Sequence, residues 1–269
     1  MGALKILVAG AGGRMGRAVI AEVAATPGVT LAGGFDRPEG AVIGADLGQL
    51  AGLDPVGLAV ASSISEGIEG ASVVIDFTSA DASVENAKAA AAAKVACVIG
   101  STGFLPEQEK ELEALARKIP IVKSGNMSLG VNLLAALVER AARILPDDYD
   151  IEIVEAHHRL KVDAPSGTAL MLGRAAAEGR GVDLTERSVR ARDGLTGARR
   201  AGDIGFAVVR GGGIVGQHDV LFAGSQEVLT FSHTALDRSL FARGAVAAAK
   251  WVAGKQAGLY SMRDVLGLG

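Results

Sequence analysis

Residues 157–170, HHRLKVDAPSGTAL, combine side chains that transfer protons with side chains that bind anions. Three interpretations compete: a metal site, a proton donor beside an anion-binding turn, and an ordinary connection between a strand and a helix. If EIVEAHH is a strand, His157 and His158 point to opposite faces and do not easily bind one metal ion. The chain has no H-x-x-x-H or C-x-x-C spacing, and its single cysteine, Cys97, is distant in sequence. No metal site is therefore predicted.

A histidine at the end of a strand, beside a glycine-rich loop, is a candidate general acid. Its reference pKa of about 6.5 allows it to exchange a proton near neutral pH. The alternative is a buried histidine whose hydrogen bonds serve only the fold. The residues alone favour neither interpretation of His157 over the other.

The second half of the segment, PSGTAL, predicts the start of a helix. Pro165 disfavours helix at the residue before it, and Ser166 is a good N-cap. The backbone N–H groups of Gly167 and Thr168 would then point outward, as in helix N-termini that bind anions. With Lys161 nearby as a point charge, such a turn suits a small dicarboxylic acid. An ordinary N-cap that serves only the helix is the alternative.

The segment VAGAGGRMGR, near the N-terminus, follows a predicted strand and opens a predicted helix. Gly10 and Gly12 fit the start of a G-x-G-x-x-G dinucleotide fingerprint, but Gly16 comes one residue late. A G-x-x-G-x-x-G pattern through Gly10, Gly13 and Gly16 describes the segment better. These glycines allow a tight turn and let backbone N–H groups approach a pyrophosphate, with Arg14 adding charge. The strand–loop–helix context favours a nucleotide cofactor over a turn without a ligand.

The next strand ends in FDRPEG, about twenty residues beyond the glycine loop. An acidic residue at this distance, here Asp36, typically binds the adenosine ribose. Arg37 follows, where a cation can meet a 2′-phosphate or stack on adenine. The pair therefore does not choose between NAD and NADP, and a solvated Asp-Arg pair is the alternative.

Two further predicted strands end in DFTSADA and GSTGF. Ligands of open parallel sheets bind beyond the carboxyl ends of the strands. Thr78, Gly100, Thr102 and Gly103 are therefore candidates for lining a nicotinamide site, although each alone is more often a turn residue.

Short apolar runs alternate with helical patterns over the first part of the chain, which indicates βαβ units and a parallel sheet. The predicted strands are 4–10, 29–36, 73–78, 96–102 and 119–125, and the predicted helices are 14–25, 80–93 and 106–118. The region 38–70 is less regular and predicts a loop with a short helix.

The second part has strands in succession, which indicates an antiparallel or mixed sheet. Predicted helices cover 130–144, 167–179 and 238–253, and predicted strands cover 149–158, 204–210, 218–224 and 227–234. The glycine-rich RGGGIVGQHD predicts a hairpin link between two of these strands. The remaining residues, GLYSMRDVLGLG, are interpreted as a tail.

Composition sets the broad class. The chain has 269 residues, 49% of them hydrophobic and 21% charged, which is typical of a globular protein with one large or two modest domains. A net charge of −3 gives no reason to expect nucleic acid or an anionic membrane as a partner. One cysteine excludes a disulfide framework and favours the cytoplasm. The N-terminal apolar run is too short for a signal peptide or a membrane span.

Together these motifs resemble the 4-hydroxy-tetrahydrodipicolinate reductase family, also called dihydrodipicolinate reductase. The resemblance spans nearly the whole chain. It rests on VAGAGGRMGR, VVIDFT, VIGSTGF, NMSLGVN and, above all, EAHHRLKVDAPSGTAL, which is highly specific to the family. IGFAVVRGGGIVGQH and the closing GLYSMRDVLGL agree with it.

The resemblance implies an α/β fold class. A Rossmann-like, parallel-sheet dinucleotide-binding domain is expected from residues 1–128 and 238–269. An α+β domain with a mixed sheet, residues 129–237, is expected to bind substrate and to assemble a homotetramer. The implied activity is the reduction of 4-hydroxy-tetrahydrodipicolinate, a small dicarboxylate, by NADH or NADPH in lysine and diaminopimelate biosynthesis.

The family's site residues carry over motif by motif. His157 is implied to be the proton donor, and Lys161 to assist it. Those implied to bind the substrate carboxylates are His158, Ser166, Gly167 and Thr168. Those implied to bind the cofactor are Gly10, Gly13, Arg14, Met15, Gly16, Asp36, Arg37, Gly100, Thr102, Ser124, Asn126 and Met127.

Two positions depart from the family pattern. Many bacterial members carry arginine after DFT, where this chain has Ser79, which puts a cofactor contact there in doubt. Asp36 stands where some relatives have the longer glutamate, which modestly affects the choice of cofactor.

Two other functions compete with the reductase. A semialdehyde dehydrogenase would need Cys97 as its nucleophile, yet Cys97 lies in an apolar run and is expected to be a core residue. A non-catalytic nucleotide sensor would use the glycine loop without needing His157 or Lys161.

Overall fold

The computed structural model describes residues 2–268. The chain forms two compact units, one that runs to Leu129 and resumes at Ser239, and one that comprises Gly130–Arg238. None of the helices within residues 2–268 combines the length and apolar character needed to cross a membrane.

The elements alternate between strands and helices in the first part and become strand-rich in the second. The first part contains β1 Leu4–Ala9, α1 Arg14–Ala25, β2 Val29–Phe35, α2 Leu47–Leu50, a 3-10 helix Ile64–Glu66, β3 Val73–Asp76, α3 Ala80–Ala93, β4 Ala96–Ile99, α4 Pro106–Ala116 and β5 Pro120–Lys123. The second contains α5 Leu129–Ile144, β6 Asp150–His157, α6 Gly167–Arg180, α7 Leu184–Arg187, β7 Ser188–Val189, β8 Ile204–Arg210, β9 Gly216–Ala223 and β10 Val228–Ala235. The chain ends with α8 Ser239–Val252, β11 Gly258–Tyr260 and α9 Met262–Leu266.

The first unit is built on a six-stranded sheet with the order β11-β5-β4-β3-β1-β2, in which every neighbouring pair is parallel. Its central strands are continuous apolar runs because helices cover both faces. Ile6 and Ile75 pack in one core with residues of α1 and α8. Leu7 and Val74 pack in the other, with residues of α3 and α4. The predicted Rossmann-like parallel sheet is confirmed.

The tail predicted for the last residues is wrong. Its residues form β11 and α9, and β11 extends the parallel sheet beside β5. Leu259 pairs with Ile121 in the ladder, and Met262 is fully buried in the core. A three-residue strand is too short for a periodic signal in the sequence, so the pairing partner decides its structure.

The second unit contains a five-stranded mixed sheet with the order β10-β9-β6-β8-β7. Along β6, residues alternate between half-buried and buried, because one face packs against α5 and α6. Ile153 and Phe222 lie on this inner face and are almost completely buried. The predicted mixed sheet is confirmed.

The hairpin predicted for RGGGIVGQHD is wrong. β8 pairs with β6 in parallel, and β9 pairs with the other edge of β6 in antiparallel orientation, so β6 lies between them. The glycine-rich link therefore passes the end of β6. Gly211 N–H donates to the His157 carbonyl (2.9 Å), and Arg159 N–H donates to the Gly212 carbonyl (3.2 Å). The link thus closes over the strand end that carries the two histidines.

Candidate active site

The glycine loop makes a tight turn between β1 and α1. Gly10 has a φ of 65°, a conformation that glycine adopts at little cost, and Gly13 N–H donates to the Gly10 carbonyl (2.9 Å). A Cβ on Gly16 would lie 2.1 Å from the same carbonyl oxygen. Glycine at this position therefore lets α1 begin close to the loop, with Arg14 and Met15 in its first turn.

The Asp36 carboxylate is held by two backbone groups. Its Oδ2 accepts from Gly12 N–H and its Oδ1 from Arg37 N–H, each at 2.8 Å. These bonds connect the end of β2 to the glycine loop. Each carboxylate oxygen keeps a lone pair that can accept from a ribose hydroxyl, and the Arg37 side chain next to it is exposed.

A cavity of about 770 Å³ lies against this loop. It is lined by Gly10, Gly12, Gly13, Phe35, Asp36, Arg37, Pro38, Gly40, Ala41, Val42, Ser62, Ser63, Ile64, Phe77, Thr78, Ser79, Ala82 and Asn86. The lining joins loop backbone, one carboxylate, one guanidinium and apolar surface, which fits an adenine dinucleotide at a helix N-terminus. The Ser79 hydroxyl caps α3 by accepting from Ala82 N–H (3.3 Å).

Arg14, Met15 and Gly16 lie at the start of α1 and do not line this cavity. The remaining predicted cofactor residues, which lie beyond β4 and β5, do not line it either. Gly100 N–H donates to the Asp76 carbonyl (2.8 Å), and a Cβ on Gly100 would lie 2.2 Å from the Phe77 ring. A Cβ on Gly125 would contact the Thr102 methyl at 3.8 Å, so the two loops are neighbours.

Within the predicted turn of residues 124–127, the Ser124 hydroxyl donates to the Asn126 carbonyl (2.8 Å). The Met127 side chain is 1% exposed and belongs to the core. The Met127 carbonyl packs against Gly244 of α8, so neither its side chain nor its carbonyl is exposed to a ligand in this structure.

His157 lies at the end of β6 beside a fully buried carboxylate. Its Nδ1 is 2.6 Å from Glu155 Oε2, and the Glu155 residue is 0% exposed. Residues two apart on a strand share a face, which places both side chains on the inner face of the sheet. An ionised carboxylate only accepts hydrogen bonds, so His157 Nδ1 carries a proton and Nε2 is the nitrogen available to a substrate.

Neighbouring strands complete this cluster. Arg210 of β8 makes two bonds to Glu155, at 2.7 and 2.8 Å. His218 of β9 packs edge-on against His157, with ring centroids 5.1 Å apart, and its Nε2 lies 3.2 Å from Ser166 Oγ. Glu155, Arg210 and His218 were not among the site residues predicted from the sequence. The strand alternation already placed Glu155 on the face of His157, but the other two depend on sheet register.

Burial and charge set the protonation of this cluster. Burial lowers the pKa of His157; Glu155 opposes the shift, whereas Lys161 and Arg210 add to it. Burial raises the pKa of Glu155, but hydrogen bonds from Arg210, His157 and the Ser166 N–H outweigh it, and the net shift is downward. Burial, followed by the charge of His157, lowers the pKa of His218 to about 4. At neutral pH Glu155 is therefore ionised and both imidazoles are neutral.

The other two predicted side chains of this segment have partners as well. Lys161 Nζ binds both oxygens of Asp163, at 2.7 and 2.9 Å. His158 Nε2 lies 3.2 Å from Arg238 Nη2, and because a guanidinium only donates, the imidazole nitrogen accepts. Asp163 and Arg238 are further residues that the sequence did not single out.

Ser166 caps α6 as predicted. Its Oγ accepts from Ala169 N–H (3.1 Å), and Gly167 and Thr168 form the first turn of the helix. Ser166 is 1% exposed, so its hydroxyl is directed into the protein. Gly167 is exposed and Thr168 half-buried, which leaves the backbone of this turn accessible to an anion.

Neither a metal site nor a reactive thiol is found in the part of the chain that the structure describes. No three histidine, cysteine, aspartate or glutamate side chains there are grouped as metal ligands would be. Cys97 is 2% exposed inside β4, and burial, together with Asp76, raises the pKa of its thiol. A thiolate nucleophile of the semialdehyde dehydrogenase kind is therefore disfavoured.

Comparison with known proteins shows the family of this chain. Residues 4–127 and 130–266 match the family models for the N-terminus and the C-terminus of dihydrodipicolinate reductase. The 4-hydroxy-tetrahydrodipicolinate reductase of Methylocella silvestris is 55% identical over 100% of this chain and 99% of its own. That of Rhizobium rhizogenes is 56% identical over 99% of this chain and 97% of its own.

Solved structures point the same way. A dipicolinate-bound dihydrodipicolinate reductase from Paenisporosarcina sp. is similar with a TM-score of 0.78 and 26% identity, covering 96% of this chain and 97% of that one. The amine dehydrogenase of Mycobacterium smegmatis, at 16% identity and a TM-score of 0.61 over 96% of this chain and 95% of that one, shares the fold alone. Because the two family models together span nearly the whole chain, this protein belongs to the dihydrodipicolinate reductase family of NAD(P)H-dependent oxidoreductases.

Proposed function

We propose that this protein reduces 4-hydroxy-tetrahydrodipicolinate to tetrahydrodipicolinate, with loss of water, in lysine and diaminopimelate biosynthesis. The observation that carries the proposal is the His157–Glu155 pair, which stands next to the accessible helix N-terminus of α6. A proton carrier beside an anion-binding turn suits a cyclic dicarboxylate that must be protonated as it is reduced. The names of the similar reductases support the same substrate.

The nicotinamide cofactor supplies a hydride when it is bound. We assign the pyrophosphate to the loop of Gly10, Gly13 and Gly16: Gly10 and Gly13 line the cavity, and Gly16 lets α1 begin close to them. Asp36 is assigned to the ribose, because its carboxylate is fixed by two N–H groups and still has free lone pairs. Arg37 then neutralises charge at the adenosine end.

The remaining cofactor positions extend this assignment. Arg14 and Met15 lie in the first turn of α1, directly after the loop. We assign the nicotinamide to the neighbouring loops after β4 and β5. The residues of those two loops are Gly100, Thr102, Ser124, Asn126 and Met127.

His157 is assigned as the proton donor. The imidazole is neutral at rest, because burial lowers its pKa. A bound dianion beside Nε2 favours the imidazolium, so substrate binding raises that pKa and loads the proton on the nitrogen that faces the substrate. Transfer of this proton compensates the negative charge that develops on the ring as it accepts a hydride.

Lys161 is assigned to stabilise that negative charge. In the structure its ammonium binds Asp163, which is 52% exposed. A substrate carboxylate of the same charge can replace this exposed partner at small cost, because surface ion pairs contribute about 0–1 kcal/mol. The Lys161 ammonium therefore pairs with Asp163 in the free protein and with a substrate carboxylate in the complex.

The substrate carboxylates are assigned to His158 and to the first turn of α6. The N–H groups of Gly167 and Thr168 belong to a helix N-terminus, which favours a negative charge. Ser166 contributes by capping this helix from its buried position.

The activity is tested by mixing the purified protein with the cyclised adduct of pyruvate and aspartate semialdehyde, with NADH and NADPH in parallel. We expect oxidation of the nicotinamide that depends on the adduct. Binding of the cofactor without its oxidation would instead favour the nucleotide sensor, and the reductase proposal would fail.

We propose that the protein forms a homotetramer and that the exposed outer face of the mixed sheet is the interface between its subunits. Val209 and Val228 lie on this face and are 48% and 58% exposed, and apolar surface of this kind marks protein interfaces. Light scattering of the purified protein is expected to give four times the chain mass of 27.2 kDa, and a monomer would contradict the proposal. The cytoplasmic location stays a prediction.

A further inference from the structure

We propose that Glu155 is the positioning residue of His157: it fixes which ring nitrogen carries the proton and holds the ring in place, while Arg210 holds Glu155. This inference rests on the proposed function in one respect only, namely that His157 is the group that transfers the proton. The geometry around Glu155 stands independently of the substrate.

All the hydrogen bonds of the Glu155 carboxylate are to groups of the protein. Its Oε2 accepts from His157 Nδ1 (2.6 Å) and from Arg210 (2.7 Å). Its Oε1 accepts from Arg210 (2.8 Å) and from the Ser166 N–H (2.9 Å). Four hydrogen bonds use the four lone-pair positions of a carboxylate, so the group cannot turn. The residue is 0% exposed and therefore does not meet the substrate itself.

The orientation of His157 follows from this contact. With the proton on Nδ1, the reactive nitrogen is Nε2, and the ring cannot flip without breaking a short bond to a buried carboxylate. Gly216 lies beside the His157 ring: a Cβ added to Gly216 would be 3.1 Å from His157 Nε2. Glycine at that position therefore leaves space beside the nitrogen that exchanges the proton.

Arg210 compensates the buried negative charge of Glu155. An uncompensated buried carboxylate is costly, and a two-pronged guanidinium is the partner that satisfies it best. The same Arg210 also donates to the carbonyl of Asp163 (2.7 Å), which fixes the loop that carries Lys161. One ion pair thus supports both the histidine and the neighbouring lysine segment.

Glu155 also connects the proton donor to the anion-binding turn. The Ser166 N–H that it accepts belongs to the N-cap residue of α6. The start of that helix and the imidazole are therefore fixed by opposite oxygens of one carboxylate. A change at Glu155 should disturb the relative placement of the two.

The titratable and charged groups that face His157 come from four elements. Glu155 of the same strand raises the pKa of His157, whereas Lys161 of the following loop and Arg210 of β8 lower it. His218 of β9 packs against the ring. Loss of the Glu155 charge should therefore lower the pKa of His157, and loss of the Arg210 charge should raise it.

The first test is Glu155→Gln, with Glu152→Gln as its matched control. Glu152 lies on the same strand but on the other face, and it pairs with Arg192 and Arg199 (2.8 and 2.9 Å) rather than with a histidine. NMR titration of the His157 ring, without substrate, should show its pKa lowered by about one unit in Glu155→Gln. Glu152→Gln should leave it unchanged. An unchanged value in Glu155→Gln, or equal shifts in both, would overturn the proposal.

The second test is kinetic. A donor must be protonated, so kcat/KM is retained below the pKa of His157 and lost above it. In Glu155→Gln this loss should begin about one pH unit lower, with kcat reduced about 10- to 100-fold, the loss seen when the partner that orients a metal-binding histidine is removed. The Kd for NADH should not change. A pH profile that coincides with that of Glu152→Gln would contradict a positioning role.

Arg210→Met covers the case in which Glu155→Gln does not fold. The ring titration should then show a pKa of His157 above that of the parent, the opposite sign to Glu155→Gln. An unchanged or lowered value would overturn the proposal. Since the titration needs no turnover, an inactive parent protein would contradict the proposed function without deciding the role of Glu155.

Discussion

Replacing Gly16 by alanine is expected to weaken cofactor binding strongly. The added Cβ would lie 2.1 Å from the carbonyl oxygen of Gly10 and 2.8 Å from its carbonyl carbon. Both are backbone atoms, so no side-chain rotation relieves the overlap. Because ordinary contacts need more than 3 Å, α1 and the loop must separate by roughly 1 Å.

The size of the effect follows from this overlap. Forcing an extra methyl group into packed structure costs about 1–3 kcal/mol. Free NADH should bind the displaced loop more weakly by a similar amount. At ~1.4 kcal/mol per factor of ten, the Kd for NADH should rise about 5- to 150-fold.

Calorimetric titration with NADH measures this change, and thermal unfolding shows whether the variant is folded. Gly33→Ala is the matched control, since it lies in β2 of the same unit and its Cβ would make an ordinary 3.4 Å contact with Leu7 Cδ1. Its Kd should equal that of the parent. A folded Gly16→Ala protein that binds NADH as tightly as Gly33→Ala would show that the overlap at Gly16 does not affect cofactor binding.

Three further changes address other parts of the site. Asp36→Ser removes the carboxylate that would repel a 2′-phosphate, and the ratio of kcat/KM for NADPH to that for NADH should rise about tenfold; a constant ratio would contradict the assignment. Lys161→Ala should weaken inhibition by dipicolinate and lower kcat. The variant lacks the ammonium that would exchange its partner Asp163 for a substrate carboxylate. Equal inhibition of variant and parent would argue against this role. Ser166→Ala removes the cap of α6 and should lower the free energy of unfolding in urea by about 1 kcal/mol; an unchanged midpoint would show that the cap is not needed.

Local patterns predicted most of the fold. The helix at Arg14–Ala25 and the strand at Ile204–Arg210 have the expected limits, because period and flanking glycines are local signals. The link between β8 and β9 was misjudged for a non-local reason. A glycine-rich segment between two β-rich runs looks the same whether the strands are neighbours or have β6 between them.

The same distinction between local and non-local features applies to the candidate site. His157 and Ser166 were accessible from the sequence, because a strand end and an N-cap are local features. Arg210 and His218 lie 53 and 61 positions after His157, and only the register of β8 and β9 against β6 brings them to it. Lys161 was expected as a point charge, but its ion pair with Asp163 depends on the shape of the loop and was not predicted.

The assignment of His157 as proton donor is tested by comparing His157→Gln with the parent protein in kcat and in the Kd for NADH. We expect kcat to fall about 10²- to 10⁴-fold, the usual contribution of a positioned proton donor. The Kd for NADH should stay unchanged, because His157 belongs to the second sheet and not to the glycine-loop cavity. A His157→Gln protein with the turnover of the parent would contradict the assignment of the proton donor.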